Sequence, residues 1–288
     1  MASTPPVNDH LDEKQFSLAV KRLADSLAYG ADSSPFLGGG IDFVQSRQYI
    51  PGDSVKSIDW RVTARTGKVF VKEYEAPKQM PMYILLDTSA SMCVSSLKLS
   101  KYALAVQIAT GLALVAQDRM SPVGLMGCGS RERDLHFQPS LSKNVLMQWA
   151  YSLRHYNLEE STSLSLTLRH LLPSLKSKSL LVIISDLHDP EAISALKLAH
   201  QEHDCLVLLM RDPAEDGSLG GGIFRAHEAE SPKAFVSHGK KLGLAGENYT
   251  EKLKRAGLDH LLLRTDLPVM SKLRHFLKHR DLLGKSRL

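Results

Sequence analysis

The sequence predicts an α/β protein: a doubly wound, mainly parallel sheet of Rossmann type with a small N-terminal β-containing subdomain in front of it. Three observations carry that expectation. From Met82 onward, short apolar runs alternate with helical patterns, the signature of strands joined by crossover helices. Two of those runs, Tyr83-Ile84-Leu85-Leu86 and Leu180-Leu181-Val182-Ile183-Ile184, are continuously apolar, as strands covered on both faces are. Residues 41–80 are different in character, with short β-rich pieces around the turn signal Pro51-Gly52-Asp53. A chain of 288 residues can hold one large α/β domain, or an average domain with a smaller companion.

Taken in order, residues 1–12 are polar and Pro-containing and read as a loose tail. Phe16, Val20, Leu23 and Leu27 then recur at helical spacing, with Gly30 placed as a C-cap and a Ser/Pro/Gly loop over 31–40. The helix and the β pieces group as an N-terminal region over 13–80, followed by the α/β domain over 81–288. Within the latter the pattern predicts a strand over 83–86, a helix over 98–118, a strand over 122–128 and an edge strand over 134–138. Helices over 143–156 and 163–175 come next, then a strand over 180–184, a helix over 191–202 and a strand over 205–210. Residues 213–235 read as loop or edge, and a helix, the strand Leu261-Leu262-Leu263 and a terminal helix close the chain.

Composition excludes several classes. The hydrophobic fraction is 43% and the charged fraction 23%, ordinary for a globular protein. A net charge of +5 is mild, and no nucleic-acid partner is expected. The nearest basic cluster, Lys272, Arg274, Lys278 and Arg280, interleaves with Leu273, Phe276 and Leu277 as the solvated face of a surface helix. Cys93, Cys128 and Cys205 form no CxxC pair, so neither a disulfide framework nor a zinc site is indicated; Cys128 and Cys205 read as core residues. No run approaches the roughly 20 apolar residues of a membrane span, and no signal segment is visible, so membrane insertion is not expected and the expected location is cytoplasmic.

The chemistry gathers at two strand ends. Asp87 closes the run Tyr83–Leu86, and Asp186 follows the run ending at Ile184. In an open α/β sheet, ligands bind outside the carboxyl ends of the strands at the topological switch point, so two aspartates distant in sequence can share one site. The turn Asp87-Thr88-Ser89-Ala90-Ser91 places the Ser89 and Ser91 hydroxyls where they can face the carboxylate. A hard divalent cation, Mg²⁺ with Mn²⁺ or Ca²⁺ as alternatives, prefers such oxygens and keeps positions for water or an incoming carboxylate. The competing structural role for Asp87 and Ser91 is capping of the following helix.

Asp-x-Ser-x-Ser at the end of a first strand resembles the metal-ion-dependent adhesion site of von Willebrand factor A domains. That resemblance implies a Thr from a later loop, which by order is Thr162 in Glu160-Ser161-Thr162-Ser163, and an Asp from a later strand end, Asp186. Gly40-Ile41-Asp42-Phe43, Arg47-Gln48-Tyr49, Pro51-Gly52-Asp53, Ile58-Asp59-Trp60, Ala64-Arg65 and Val71-Lys72-Glu73-Tyr74-Glu75 precede the motif in order, and Arg211-Asp212-Pro213-Ala214-Glu215 follows it. With these, residues 38–280 look like the bacterial family called domain of unknown function 58, in which such a segment precedes a von Willebrand A-like domain. The resemblance implies a cytoplasmic adaptor that works with a MoxR-type AAA+ ATPase or its client, the metal gripping a carboxylate on the protein partner.

Read from the residues alone, Asp42, Arg47, Asp53, Asp59, Arg61 and Arg65 are expected to form a buried ion-pair network joining the subdomain to the sheet, with Trp60 as a core anchor. An alternative function is a metal-dependent phosphatase or other hydrolase with Asp87 as nucleophile. That chemistry needs an acid two residues on, and the chain has Ser89 there. No nucleophile elbow or phosphate-binding loop is present, His188 is the one histidine placed near the strand ends, and no catalytic role is assigned.

Overall fold

The computed structural model describes residues 11–28, 42–75, 80–93, 95–130, 135–156, 160–216, 223–227, 234–238 and 248–284. The chain divides into two compact units: Leu37–Gln79, and Met1–Phe36 together with Met80–Leu288.

The larger unit is built on a six-stranded, mostly parallel sheet. Its strands are β3 (Met82–Leu86), β4 (Val123–Gly127), β5 (His136–Ser140), β6 (Leu180–Ser185), β7 (Asp204–Arg211) and β10 (Asp259–Arg264), in the order β10-β7-β6-β3-β4-β5. All neighbours are parallel except β5, an antiparallel edge strand against β4. Because side chains alternate across a strand, each strand feeds two cores. Met82, Ile84 and Leu86 of β3 face one side, where they join α1 (Glu13–Ala28), α3 (Lys101–Asp118), α4 (Lys143–Arg154) and α8 (Val269–Gly284). Leu85 faces the other, with α5 (Leu164–Leu171), α6 (Ala192–Glu202) and α7 (Tyr249–Arg255). The chain runs from β3 to β4 on one side and then crosses to β6 on the other, so the carboxyl ends of β3, β4 and β6 open on one crevice.

Local sequence explains the helices that frame this crevice. Helix α3 is apolar nearly all round, as a helix buried between neighbours must be, and Ser100 caps it by accepting from the Ala103 amide at 3.1 Å. Helix α1 begins with a reciprocal cap between Asp12 and Gln15, and it buries Phe16, Val20, Leu23 and Leu27 in the large unit's core. That burial corrects the expected grouping over 13–80: the helix supplies apolar surface that α3 needs, so it belongs with the sheet domain. Gly30, the loop over 31–40 and residues 1–10 of the expected tail lie outside the described residues.

The described parts of residues 213–235 are neither plain loop nor an edge of the central sheet. A 3-10 turn at Pro213–Asp216 is followed by β8 (Ile223–His227) and β9 (Ala234–His238), which pair antiparallel as a sheet of their own. Arg280, expected on the solvated face of α8, is buried. Its guanidinium pairs with Asp204 and with Asp259 (3.1 Å) and donates to the Cys205 carbonyl at 3.2 Å, tying α8 to β7 and β10. Cys128 and Cys205 are buried core residues, as expected. Among the described residues no helix is long and apolar enough to cross a membrane.

The smaller unit pairs β1 (Asp42–Gln48) antiparallel with β2 (Phe70–Glu75) and carries α2 (Trp60–Thr66). Gly52 takes a φ of 112° in the turn after β1, a conformation that suits glycine. The expected buried network is corrected. Arg47 grips Asp53 through two hydrogen bonds of 2.7 Å, while Asp59 caps α2 by accepting from the Arg61 and Val62 amides and holds Ser46. These contacts are internal to the subdomain. Trp60 is 67% exposed as the first residue of α2, so it is not a core anchor.

Candidate metal centre

Three loops meet at the crevice. The first leaves β3 at Asp87 and turns through a 3-10 segment, Ala90–Cys93, before α3. The second runs from Glu160 through Thr162 into α5, and the third leaves β6 at Ser185 and Asp186. They are stitched by backbone hydrogen bonds: the Ala90 amide to the Glu160 carbonyl at 2.9 Å, Ser163 to Cys128 at 2.8 Å, and Asp87 to Ile184 at 2.9 Å. Thr162 forms an antiparallel bridge with Gly129 just beyond β4. Asp189, beyond the third loop, accepts from the Ser165 amide at 2.7 Å, so the start of α5 is fixed to the loop carrying Asp186.

The sequence-predicted residues come together. Asp87 and Asp186 are fully buried. Asp87 Oδ1 accepts from the Ser89 amide at 3.0 Å, and Oδ2 accepts from the hydroxyls of Thr162 at 3.2 Å and Ser185 at 2.5 Å. Ser89 and Ser91 lie with their hydroxyl oxygens 2.9 Å apart. Thr162, rather than its neighbours Ser161 or Ser163, reaches the carboxylate; the Ser163 hydroxyl turns away to the Gly129 carbonyl. The capping role for Asp87 and Ser91 is not the one used, since Ser100 caps α3.

Four participants were not read from the sequence as site residues. Ser185 holds Asp87 and also accepts from the Leu187 amide at 2.8 Å. Leu187, next to Asp186, sits at a φ of 60°, an unfavourable backbone for a side chain with a γ-branch and one that concentrates at sites under constraint. Glu160 accepts from the Thr88 hydroxyl at 2.6 Å, locking the second loop to the first. Most consequential is Lys101: fully buried, its ammonium lies 2.7 Å from Asp186 Oδ2 and pairs also with Glu215. The available signal for Lys101 was a lone cation directly after a capping Ser in an otherwise apolar helix.

Charge is therefore unevenly distributed. Burial, reinforced by the neighbouring Asp186, pushes the Asp87 carboxyl up to about 6. Burial works in the same sense on Asp186, but the Lys101 ammonium, with help from His188 and the Ser91 hydroxyl, outweighs it and holds that carboxyl below its ordinary value. His188 lies 3.6 Å from Asp186 Oδ2 on the solvent side. Among the described residues no group of three or more His, Cys, Asp or Glu is arranged to hold an ion. A cation here would rest on two carboxylates and the hydroxyls of Ser89, Ser91 and Thr162, a donor set of hard oxygens that suits Mg²⁺, Mn²⁺ or Ca²⁺. One further observation fits such an occupant: Asp186 Oδ1 is buried and takes no hydrogen bond from the described residues. A buried carboxylate oxygen left so is costly unless a cation or an ordered water completes it.

Comparison with known proteins gives the chain a family. The chain is 31% identical over 102 residues to uncharacterized proteins of Mycobacterium bovis and of two strains of Mycobacterium tuberculosis, a match covering 35% of this chain. It spans 32% of the length of these curated relatives. Among solved structures it is similar to a conserved hypothetical protein, BatB, from Bacteroides thetaiotaomicron, with 14% identity and a TM-score of 0.47, covering 71% of this chain and 99% of that one. Residues 45–241 match the family described as protein of unknown function DUF58, a span that takes in most of the β subdomain, the Asp87 turn, the Thr162 loop and Asp186. The chain belongs to the DUF58 family.

Proposed function

We propose that the protein is a metal-dependent interaction module of von Willebrand A type, and not an enzyme. Asp87, Ser89, Ser91, Thr162 and Asp186 hold a divalent cation, Mg²⁺ in the first instance, and a carboxylate from a protein partner completes its coordination. The observation that carries this reading is the convergence of Asp87, Thr162 and Asp186 from three separate loops onto one buried, hydroxyl-rich crevice at the carboxyl end of the sheet. A hydroxyl-rich set leaves much of a dication's charge uncancelled, which favours an anionic ligand in the open position. Family membership and the resemblance of the motif point to a MoxR-type AAA+ ATPase or its client as the partner, with this chain as adaptor or co-chaperone.

The test is affinity capture from a lysate in Mg²⁺ and in EDTA, with wild type and Asp87→Ala compared and calorimetry of Mg²⁺ on each purified protein. An AAA+ ATPase recovered only by wild type in Mg²⁺, with metal binding lost in the variant, is the expected result. Undiminished capture by Asp87→Ala or in EDTA would overturn the mechanism.

A further inference from the structure

The site already contains a cation. Lys101 reaches Asp186 from the first turn of α3, and a lysine with no exposed surface is tolerated only because two carboxylates meet its ammonium. Its two partners differ in how they are held. Asp186 stands in the candidate centre, with Oδ2 on the ammonium and Oδ1 buried without a hydrogen bond among the described residues. Glu215 stands outside it and is itself anchored: its Oε2 accepts from the Asp212 amide at 3.3 Å and lies 3.4 Å from the Arg211 guanidinium. Asp212 is pinned in turn, accepting from the Ser96 amide at 3.0 Å and from the Thr265 hydroxyl at 3.0 Å. The turn after β7 is thus a fixed anionic dock beside the centre.

We propose that Lys101 is an internal competitor of the divalent ion for Asp186, and that Glu215 sets how strongly it competes by offering the ammonium a second seat. This rests on the metal reading above and names how that site is regulated. With Lys101 on Asp186 the crevice presents the charge of one carboxylate instead of two. An arriving dication takes over Asp186, and the ammonium moves its allegiance to Glu215, which needs only rotation about the flexible lysine stem. Metal affinity then depends on the exchange: without the ammonium the ion meets two free carboxylates, and without the Glu215 charge the ammonium has nowhere to withdraw. The signs for the two positions are opposite, which a merely structural role for Lys101 and Glu215 would not produce.

The experiment measures Mn²⁺ binding by calorimetry and by the electron paramagnetic resonance signal of free Mn²⁺, on wild type, Lys101→Met, Glu215→Gln and Asp87→Ala, with circular dichroism as the check on folding. Two unit charges a few ångströms apart at an effective dielectric near 20 change an ion's binding by roughly tenfold or more. Lys101→Met is expected to bind at least about tenfold more tightly, and Glu215→Gln several-fold more weakly, than wild type. Binding lost in Asp87→Ala but unchanged in both other variants overturns the role of Lys101 and leaves the metal reading standing. No binding by any of the four proteins overturns the metal reading itself. If Lys101→Met does not fold, Glu215→Gln decides alone: its weakening supports the proposal, and unchanged or tighter binding refutes it.

Discussion

In EDTA at pH 7, Asp87→Asn is expected to be more stable than wild type by about 2 kcal/mol, although the change removes a proposed ligand of the centre. Asp87 is fully buried and, among the described residues, pairs with no cation, because Lys101 is committed to Asp186 and Glu215. Its folded-state value of about 6 lies above the ordinary 3.8, so the folded protein binds a proton more readily than the unfolded chain between those limits. A raised carboxyl means that ionisation opposes folding: the penalty is absent below about pH 4, grows through the interval and is complete above about pH 6. One unit is worth about 1.4 kcal/mol, so two units give nearly 3 kcal/mol. Asn lowers that return, since its amide nitrogen must donate where Oδ2 accepted from Ser185 and Thr162; both hydroxyls can turn to receive it. Urea titrations at pH 4.5 and pH 7 in EDTA check this. The gain should shrink on acidification, and an Asn variant less stable than wild type at pH 7 would show that Asp87 is not a buried, uncompensated charge. If the proposed centre binds Mg²⁺, saturating Mg²⁺ is expected to reverse the ranking, because an ion at 100 times its dissociation constant adds about 2.7 kcal/mol to the protein that binds it.

A residue that destabilises the fold it sits in is a residue held for another purpose, and such a site is partly visible in sequence. Asp87 and Asp186 were legible because each follows a strand whose unbroken apolar run announces burial on both faces, and the end of a buried parallel strand is where a polar side chain needs a reason. The sheet was legible for the same cause, down to β5 as an edge. Thr162 was reached only through the resemblance of the motif: among three consecutive hydroxyl residues, the bridge to Gly129 decides which one faces Asp87, and that pairing is tertiary. Lys101 was hidden because periodicity weighs apolar positions and passes over a cation whose two partners lie far along the chain. Trp60 misled in the opposite direction, since a large aromatic raises the expectation of burial while nothing local records that it opens a short exposed helix. The amphipathic pattern of α1 was clear, but amphipathicity states that a face is covered and not by what; α3 and α8 supply the cover.

The contact that selects Thr162 gives the second large effect. Gly129→Ala would place a methyl carbon 2.0 Å from Glu160 Cδ and Oε1 and 2.5 Å from Oε2. The glycine's φ is not positive, so the backbone accepts alanine and the obstacle is space alone. Glu160 cannot simply withdraw, because its carboxylate is buried and takes the Thr88 hydroxyl at 2.6 Å, with the Ser130 hydroxyl at 3.5 Å. Moving it breaks a charge-assisted hydrogen bond in a dry setting or shifts the whole second loop, and either route costs about 2–3 kcal/mol. Because the Glu160 carbonyl also receives the Ala90 amide, the shift separates the loop of Thr162 from the loop of Ser89 and Ser91, and weaker Mn²⁺ binding should accompany the loss of stability. The cause can be isolated with Glu160→Ala. In that background the new methyl meets no carboxylate, and Gly→Ala at a compatible backbone stabilises by about 0.4–1 kcal/mol through the unfolded chain. Gly129→Ala is therefore expected to change sign, destabilising the wild type and stabilising the Glu160→Ala variant. Four urea titrations close that double-mutant cycle. Additive effects, within about 0.5 kcal/mol, would mean that Gly129 is required for something other than the room it leaves to Glu160.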